Sequence, residues 1–93
     1  MILKGTEFQI LVWKEIAKIP YGQTRNYKEL AIAIGKPNSS RAVANACGKN
    51  PYAPEIPCHR VIRSDGHIGG YSGSGGKKRK KQLLEQEGLI FKY

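Results

Sequence analysis

Ninety-three residues are enough for one small domain with a modest core and too few for two, so 1–93 reads as a single unit. Sixteen Lys and Arg against seven Asp and Glu give a formal charge of +9, which favours a polyanionic partner such as nucleic acid. No apolar run approaches the roughly 18 residues of a membrane span and the opening Met1-Ile2-Leu3-Lys4 lacks a signal-peptide plan, so a membrane role is excluded and a cytoplasmic chain, nuclear in a eukaryote, is expected.

Thr6-Glu7-Phe8-Gln9 has the form of a capping box, in which two side chains three residues apart satisfy each other's backbone N–H groups. Phe8, Leu11, Val12, Ile16 and Ile19 recur at helical spacing until Pro20 stops the run, predicting a core-facing helix. Trp13 lies off that stripe, yet a single tryptophan in so small a domain is more often packed than functional, and it is given no role. After a turn at Pro20-Tyr21-Gly22-Gln23, Asn26-Tyr27-Lys28-Glu29 offers a second capping box. The helix it opens carries Leu30, Ala31, Ile32, Ala33 and Ile34 and ends at Gly35. Ser39 to Cys47 predicts a third, alanine-rich helix closed by Gly48. Two helices joined by a short glycine-containing turn form a helix-turn-helix, whose second helix enters a DNA groove. Ala42, Ala44 and Ala46 suit close approach to sugar and phosphate, and equally suit close packing in a core.

Lys49 to Pro57 holds three prolines and no helical period, so it forms a loop that delivers Pro57-Cys58-His59-Arg60. A thiol attacks as thiolate and needs a base or a positive field, and His59 and Arg60 follow Cys58 at once. Adjacent side chains rarely face each other, so His59 would act through a bridging water, with a third group orienting the ring. The same four residues also fit a buried cysteine in a tight turn. Only two cysteines, Cys47 and Cys58, point to thiol chemistry or burial rather than a disulfide framework, and no Cys/His set has zinc-ligand spacing. Val61-Ile62-Arg63 and His67-Ile68 flank Ser64-Asp65-Gly66 as a small β-hairpin, with His67 exposed at its turn. Gly69 to Gly76 reads as a flap or pocket wall. Lys77 to Lys81 opens a last helix through Leu83, Leu84 and Glu87 to Gly88, and its cations read first as a solvated face, second as a phosphate-facing one.

Taken in order, Gly5-Thr6-Glu7-Phe8-Gln9, Ile19-Pro20-Tyr21-Gly22-Gln23-Thr24, Tyr27-Lys28-Glu29-Leu30-Ala31, Arg41-Ala42-Val43, Asn50-Pro51, Pro57 to Val61, Gly70-Tyr71-Ser72-Gly73 and Glu87-Gly88 resemble the DNA-binding and catalytic domain of the O6-alkylguanine-DNA alkyltransferases. The resemblance implies a mainly α fold, a winged-helix-like helix-turn-helix domain with a small β-hairpin and the cysteine on the Pro-Cys-His-Arg turn. It also implies irreversible transfer of an alkyl group from O6 of guanine, with O4 of thymine a further target, to Cys58 after base flipping. No cofactor is expected. The implied partner is double-stranded DNA containing O6-alkylguanine, bound by a monomer without membrane contact.

Position by position, the resemblance makes Cys58 the acceptor, His59 its water-mediated base and Glu87 the group orienting His59. Asn50 braces the active-site turn, and Tyr27 assists nucleotide rotation and donates a proton toward guanine N3. Arg41 fills the gap left by the flipped base, within a DNA-binding helix that presents Ser39, Ser40, Ala42 and Asn45. Val61 and Tyr71 wall the alkyl pocket, and Ser72 donates to O6. Plainer readings stand beside three of these: an Asn-Pro turn for Asn50, a phosphate contact for Arg41 and core packing for Tyr27. Two departures from the family pattern are noted. The domain that familiar members carry before the segment matching Gly5 has no counterpart here, and the loop after Tyr71-Ser72-Gly73 is about two residues longer. Glu87 is therefore aligned by the glycine that follows it, with Glu85 as the fallback. Two other functions compete: a non-catalytic reader of alkylated guanine, in which the cysteine is typically replaced, and a helix-turn-helix transcription regulator, which leaves Cys58, His59 and Asn50 unexplained.

Overall fold

The computed structural model describes residues 2–69, 71 and 75–89. Its elements in chain order are α1 (Glu7–Ile16), β1 (Arg25–Asn26), α2 (Tyr27–Ala33), α3 (Ser40–Gly48), a single 3₁₀ turn (Cys58–Arg60), β2 (Val61–Ile62) and α4 (Gly76–Gln86). Both expected capping boxes form. The Thr6 hydroxyl accepts from Gln9 N at 3.0 Å and Thr6 N donates to Gln9 Oε1 at 3.0 Å. Asn26 and Glu29 close the same pair of bonds ahead of α2. Each satisfies backbone donors that a helix start otherwise leaves open, which is why α1 and α2 begin where they do.

The core lies where α1 and α2 pack on α3, built from Val12, Trp13, Ile16, Ile19, Leu30, Ala31, Val43 and Ala46. The inward stripe of α1 is shifted from the expected one. Leu11 is 45% exposed while Trp13 is 1% exposed. Trp13 has a polar reason to be inside, because its indole N–H donates to Ala46 O at 2.9 Å and so ties α1 to α3. The ring also meets Tyr52 edge-on at 5.7 Å. On α2, Leu30 and Ala31 are buried and Ile32 is exposed.

The expected hairpin is corrected. Val61–Ile62 pairs not with His67–Ile68 but with Arg25–Asn26, in parallel, in the register Arg25 to Val61 and Asn26 to Ile62. The segment after β2 folds into a tight turn, with Arg63 N donating to His67 O and Gly66 N to Arg63 O. Asp65 sits inside that turn, accepting from the His67 N–H and from Arg63 Nη2, and it leaves too few residues for a ladder. The parallel pairing matters for function because it joins the residues just before α2 to those just after Cys58. No helix among the described residues is long and apolar enough to cross a membrane.

A candidate active site around Cys58

The loop from Lys49 to Pro57 is held from within by Asn50, which is 3% exposed. Its amide donates to Ile56 O at 3.0 Å and its carbonyl accepts from Tyr52 N at 2.8 Å. One side chain thus satisfies two backbone groups in a segment with no ladder of its own. Cys58 follows, with its N–H on Ile56 O, and the 3₁₀ turn closes through Arg60 N to Pro57 O. Cys58 and His59 are both 4% exposed, and neither Cys47 nor Cys58 is in a disulfide.

His59 reaches Glu87 at the end of α4, with Nε2 and Oε2 2.7 Å apart. A carboxylate can only accept, so Nε2 carries the proton and Nδ1 bears the lone pair. Nδ1 is buried and has no hydrogen-bond partner among the described residues, so it is the ring atom placed to take a proton. Burial holds the imidazole below its ordinary range despite the neighbouring carboxylate, which keeps the ring neutral, in its free-base form, at neutral pH. Glu87 is itself fixed on three sides. Gly22 N donates to Oε1 at 2.7 Å, Arg60 Nε straddles both oxygens at 3.0 and 3.1 Å, and His59 takes Oε2. Burial opposes the carboxylate charge, yet these donors together hold Glu87 below the usual carboxylate range.

Arg60 is locked in turn by Ile19 O at 2.9 Å and lies over the Tyr21 ring, whose hydroxyl donates to Gln86 O. The Pro20–Thr24 turn is therefore a clamp on the end of α4. Gly22 has φ +81°, a conformation that lets its N–H face Glu87 and that other residues rarely adopt. Glu85, the fallback partner for His59, is exposed.

Val61 is buried beside this network, and the Tyr71 ring meets His59 edge-on at 6.5 Å. Tyr27, at the start of α2, is half-buried, and burial together with the negative forms of Cys47 and Cys58 pushes its phenol up to about 12. Burial likewise pushes the Cys47 thiol up to about 12. Ser72 lies outside the described residues. On α3, Arg41, Ala42 and Asn45 are exposed, Ser39 and Ser40 are half-buried, and Ala46 belongs to the core.

The basic run holds the largest departure from expectation. Lys77, Lys78 and Arg79 are exposed as a solvated face requires, but Lys80 is 0% exposed. Its ammonium donates to Val61 O at 2.6 Å, and burial lowers it to about 8 against the pull of Cys58 and Cys47. A cation near neutral pH is thus held inside, next to the thiol. Helical spacing contained the signal, because Lys80 stands one turn before the buried Leu84. Arg60 and Gly22 were missed as Glu87 ligands, and no local pattern joins residues 27 and 65 positions away.

This arrangement can deprotonate a buried thiol in a positive field beside an exposed helix surface. The chain is similar to known proteins over most of its length. The model of the family described as 6-O-methylguanine DNA methyltransferase, DNA binding domain, matches residues 7–89. A methylated-DNA–protein-cysteine methyltransferase of Methanosarcina barkeri is 51% identical over 86 residues, covering 92% of this chain and 54% of that protein. Among solved structures, Mycobacterium tuberculosis OGT in complex with DNA superposes with a TM-score of 0.87 at 52% identity, over 92% of this chain and 52% of that one. Schizosaccharomyces pombe Atl1 in complex with damaged DNA containing O6-carboxymethylguanine gives 0.80 at 36% identity, over 94% and 81%. The chain spans about half the length of the methyltransferases it matches.

Proposed function

Because the chain belongs to the 6-O-methylguanine DNA methyltransferase family, we propose that it repairs DNA by moving an alkyl group from O6 of guanine to Cys58, once per molecule. The observation that carries this reading is the His59–Glu87 pair at 2.7 Å, which leaves a neutral buried Nδ1 on the residue that follows the buried Cys58. His59 removes the thiol proton through a bridging water, and Lys80 stabilises the resulting thiolate. The sulfur then forms a bond to the alkyl carbon as the bond from that carbon to O6 breaks. The electron pair left on guanine takes up a proton from Tyr27 at N3, and Ser72 donates to O6. Asn50 keeps the loop that carries Cys58 in place, and Val61 and Tyr71 flank the alkyl group.

The target atom is shielded in a stacked duplex, so the nucleotide must be flipped out at about a few kcal/mol. The exposed side of α3 suits this, with Arg41 filling the vacated stack and Ser39, Ser40, Ala42 and Asn45 lying along the strand. A monomer acting on double-stranded DNA in the cytoplasm, or the nucleus of a eukaryote, fits the basic surface. The test is intact-protein mass after incubation with a duplex containing O6-methylguanine. One added methyl group, mapped to Cys58, is expected. Tight lesion binding without any mass gain would make the protein a reader, and a methyl on Cys47 would move the nucleophile.

A further inference from the structure

The loop that carries Cys58 is tied to the start of the chain by one side chain. Tyr52 Oη accepts from Lys4 N at 2.7 Å, across 48 positions of sequence. The donor is held in place because Gly5 lies flat on Trp13, where an added Cβ would stand 2.8 Å from Trp13 Cη2 and 2.8 Å from Gln9 Oε1. The Tyr52 ring meets the same indole edge-on at 5.7 Å, and the indole is itself fixed by Ala46 O. The backbone of Tyr52 belongs to the bonds that shape the active-site turn. Its N–H donates to Asn50 Oδ1 at 2.8 Å and its carbonyl accepts from Ile56 N at 2.9 Å. Ile56 O in turn takes both Asn50 Nδ2 at 3.0 Å and Cys58 N at 2.8 Å. A line of hydrogen bonds thus runs from the N-terminal segment to the nucleophile. Behind Ile56 the packing gives out, since Leu3, Lys14, Ala17, Glu55 and Ile56 line an open cleft of about 300 Å³. A segment backed by space rather than side chains opens locally at low cost, and this loop has room to move unless something ties it.

We infer that Tyr52 is a positioning residue: by joining the N-terminal segment to the Lys49–Pro57 loop, its hydroxyl fixes where Cys58 stands. Its consequence for catalysis rests on the alkyl-transfer reading, to which it adds a residue. Asn50 fixes the inner shape of the loop, whereas Tyr52 fixes the loop against the rest of the molecule. Tyr52 touches no reacting atom and acts by denying the turn other positions. The sulfur must meet the alkyl carbon in line with the bond to O6, and a misplacement of about 1 Å at reacting groups costs on the order of a hundredfold in rate.

The test removes either end of the tie. Tyr52→Phe takes away the acceptor and keeps the ring on Trp13, and Lys4→Pro takes away the donor. Native-state amide hydrogen exchange reads the turn without any substrate. In the parent the Ile56 and Cys58 amides should be less protected than those of Val12 and Ile16, because the turn opens without the core. In either variant they should exchange about three- to tenfold faster, the worth of one net hydrogen bond, and the pair of substitutions should add nothing further. The first-order transfer rate at saturating duplex should fall at least threefold, roughly, with the half-saturating concentration unchanged, and free O6-benzylguanine should lose the same factor. Unmoved Ile56 and Cys58 amides, or turn amides that start as protected as the core and change only in step with it, would make Tyr52 a contributor to global stability and overturn the inference. So would multiplying losses, an unchanged transfer rate, or a loss seen only as weaker binding of duplex. A parent protein inert to alkylated guanine whose turn amides still respond would sink the alkyl-transfer reading while leaving the tie intact.

Discussion

At the scale of single residues, the site depends on a carboxylate held ionised at neutral pH. Glu87 is held below its ordinary value by Gly22, His59 and Arg60, and burial holds His59 below its own. Both shifts are depressions, so the folded chain refuses protons that the unfolded chain accepts. The stability they confer is present above the unfolded values, 6.5 for the histidine and 4.5 for the glutamate, and is lost as pH falls through the folded ones. Glu87→Gln should shrink the acid leg below pH 4.5 and cost about 2 kcal/mol or more, since Arg60 is left without its counter-charge. It should also slow reaction with free O6-benzylguanine at least tenfold, roughly, because one amide oxygen cannot serve Gly22, Arg60 and His59 together and the amide NH2 no longer fixes the His59 tautomer. Denaturant unfolding across pH, paired with reaction rates, checks both. An unchanged acid leg would mean that other carboxylates carry it. The meeting of His59 with Glu87 was anticipated through the glycine that follows Glu87, although choosing it over Glu85 needed the end of α4 to be seen against the Pro20–Thr24 turn. Lys80 was not, because a run of five basic residues looks solvated until the helix is rotated onto the core.

At the scale of elements, capping chemistry was readable and pairing was not. The boxes at Thr6 and Asn26 are local, needing only residues three apart, and both formed. The partner of β2 is 36 residues away in sequence, and a two-residue pairing leaves no alternating pattern to announce it. Trp13 packs inside, as a single tryptophan in so small a domain was expected to, although it stands off the aliphatic stripe, and its N–H satisfies a distant carbonyl there. Helix α3 divides its labour by face: Val43, Ala46 and Cys47 look inward, Arg41, Ala42 and Asn45 outward. If the outward face serves flipping and Cys58 serves chemistry, the two functions separate experimentally. Arg41→Ala should slow repair of duplex DNA far more than reaction with the free base, by roughly tenfold for each 1.4 kcal/mol lost at the flipping step. The free-base rate is the internal control for folding and thiolate formation. Equal losses on both substrates would show that Arg41 supports the pocket, and the finger role would be withdrawn.

At the scale of the whole molecule, the formal charge of +9 overstates what DNA meets. Lys80 is inside, Arg60 is bound to Glu87, Arg63 is held by Asp65, and Lys18 and Arg25 share Glu15. Each of these cations is answered within the fold, so a phosphate gains little from them. Lys49, exposed at the end of α3, is of the other kind. Each phosphate neutralised on duplex DNA contributes about 0.9 to the slope of log affinity against log salt. The slope should therefore be well below the count of basic residues. Lys49→Gln should lower it by about 0.9 without touching the free-base rate, whereas Lys18→Gln should leave it unchanged. Binding isotherms at four or more salt concentrations, on duplexes of unrelated sequence, measure this directly. Little dependence on sequence is expected, because phosphate contacts position the protein without reading bases. A strong preference for one undamaged operator would favour a transcription regulator. A slope that responds equally to Lys18 and Lys49 would mean that binding follows total charge rather than the face of α3, and the geometry proposed for base flipping would lose its support.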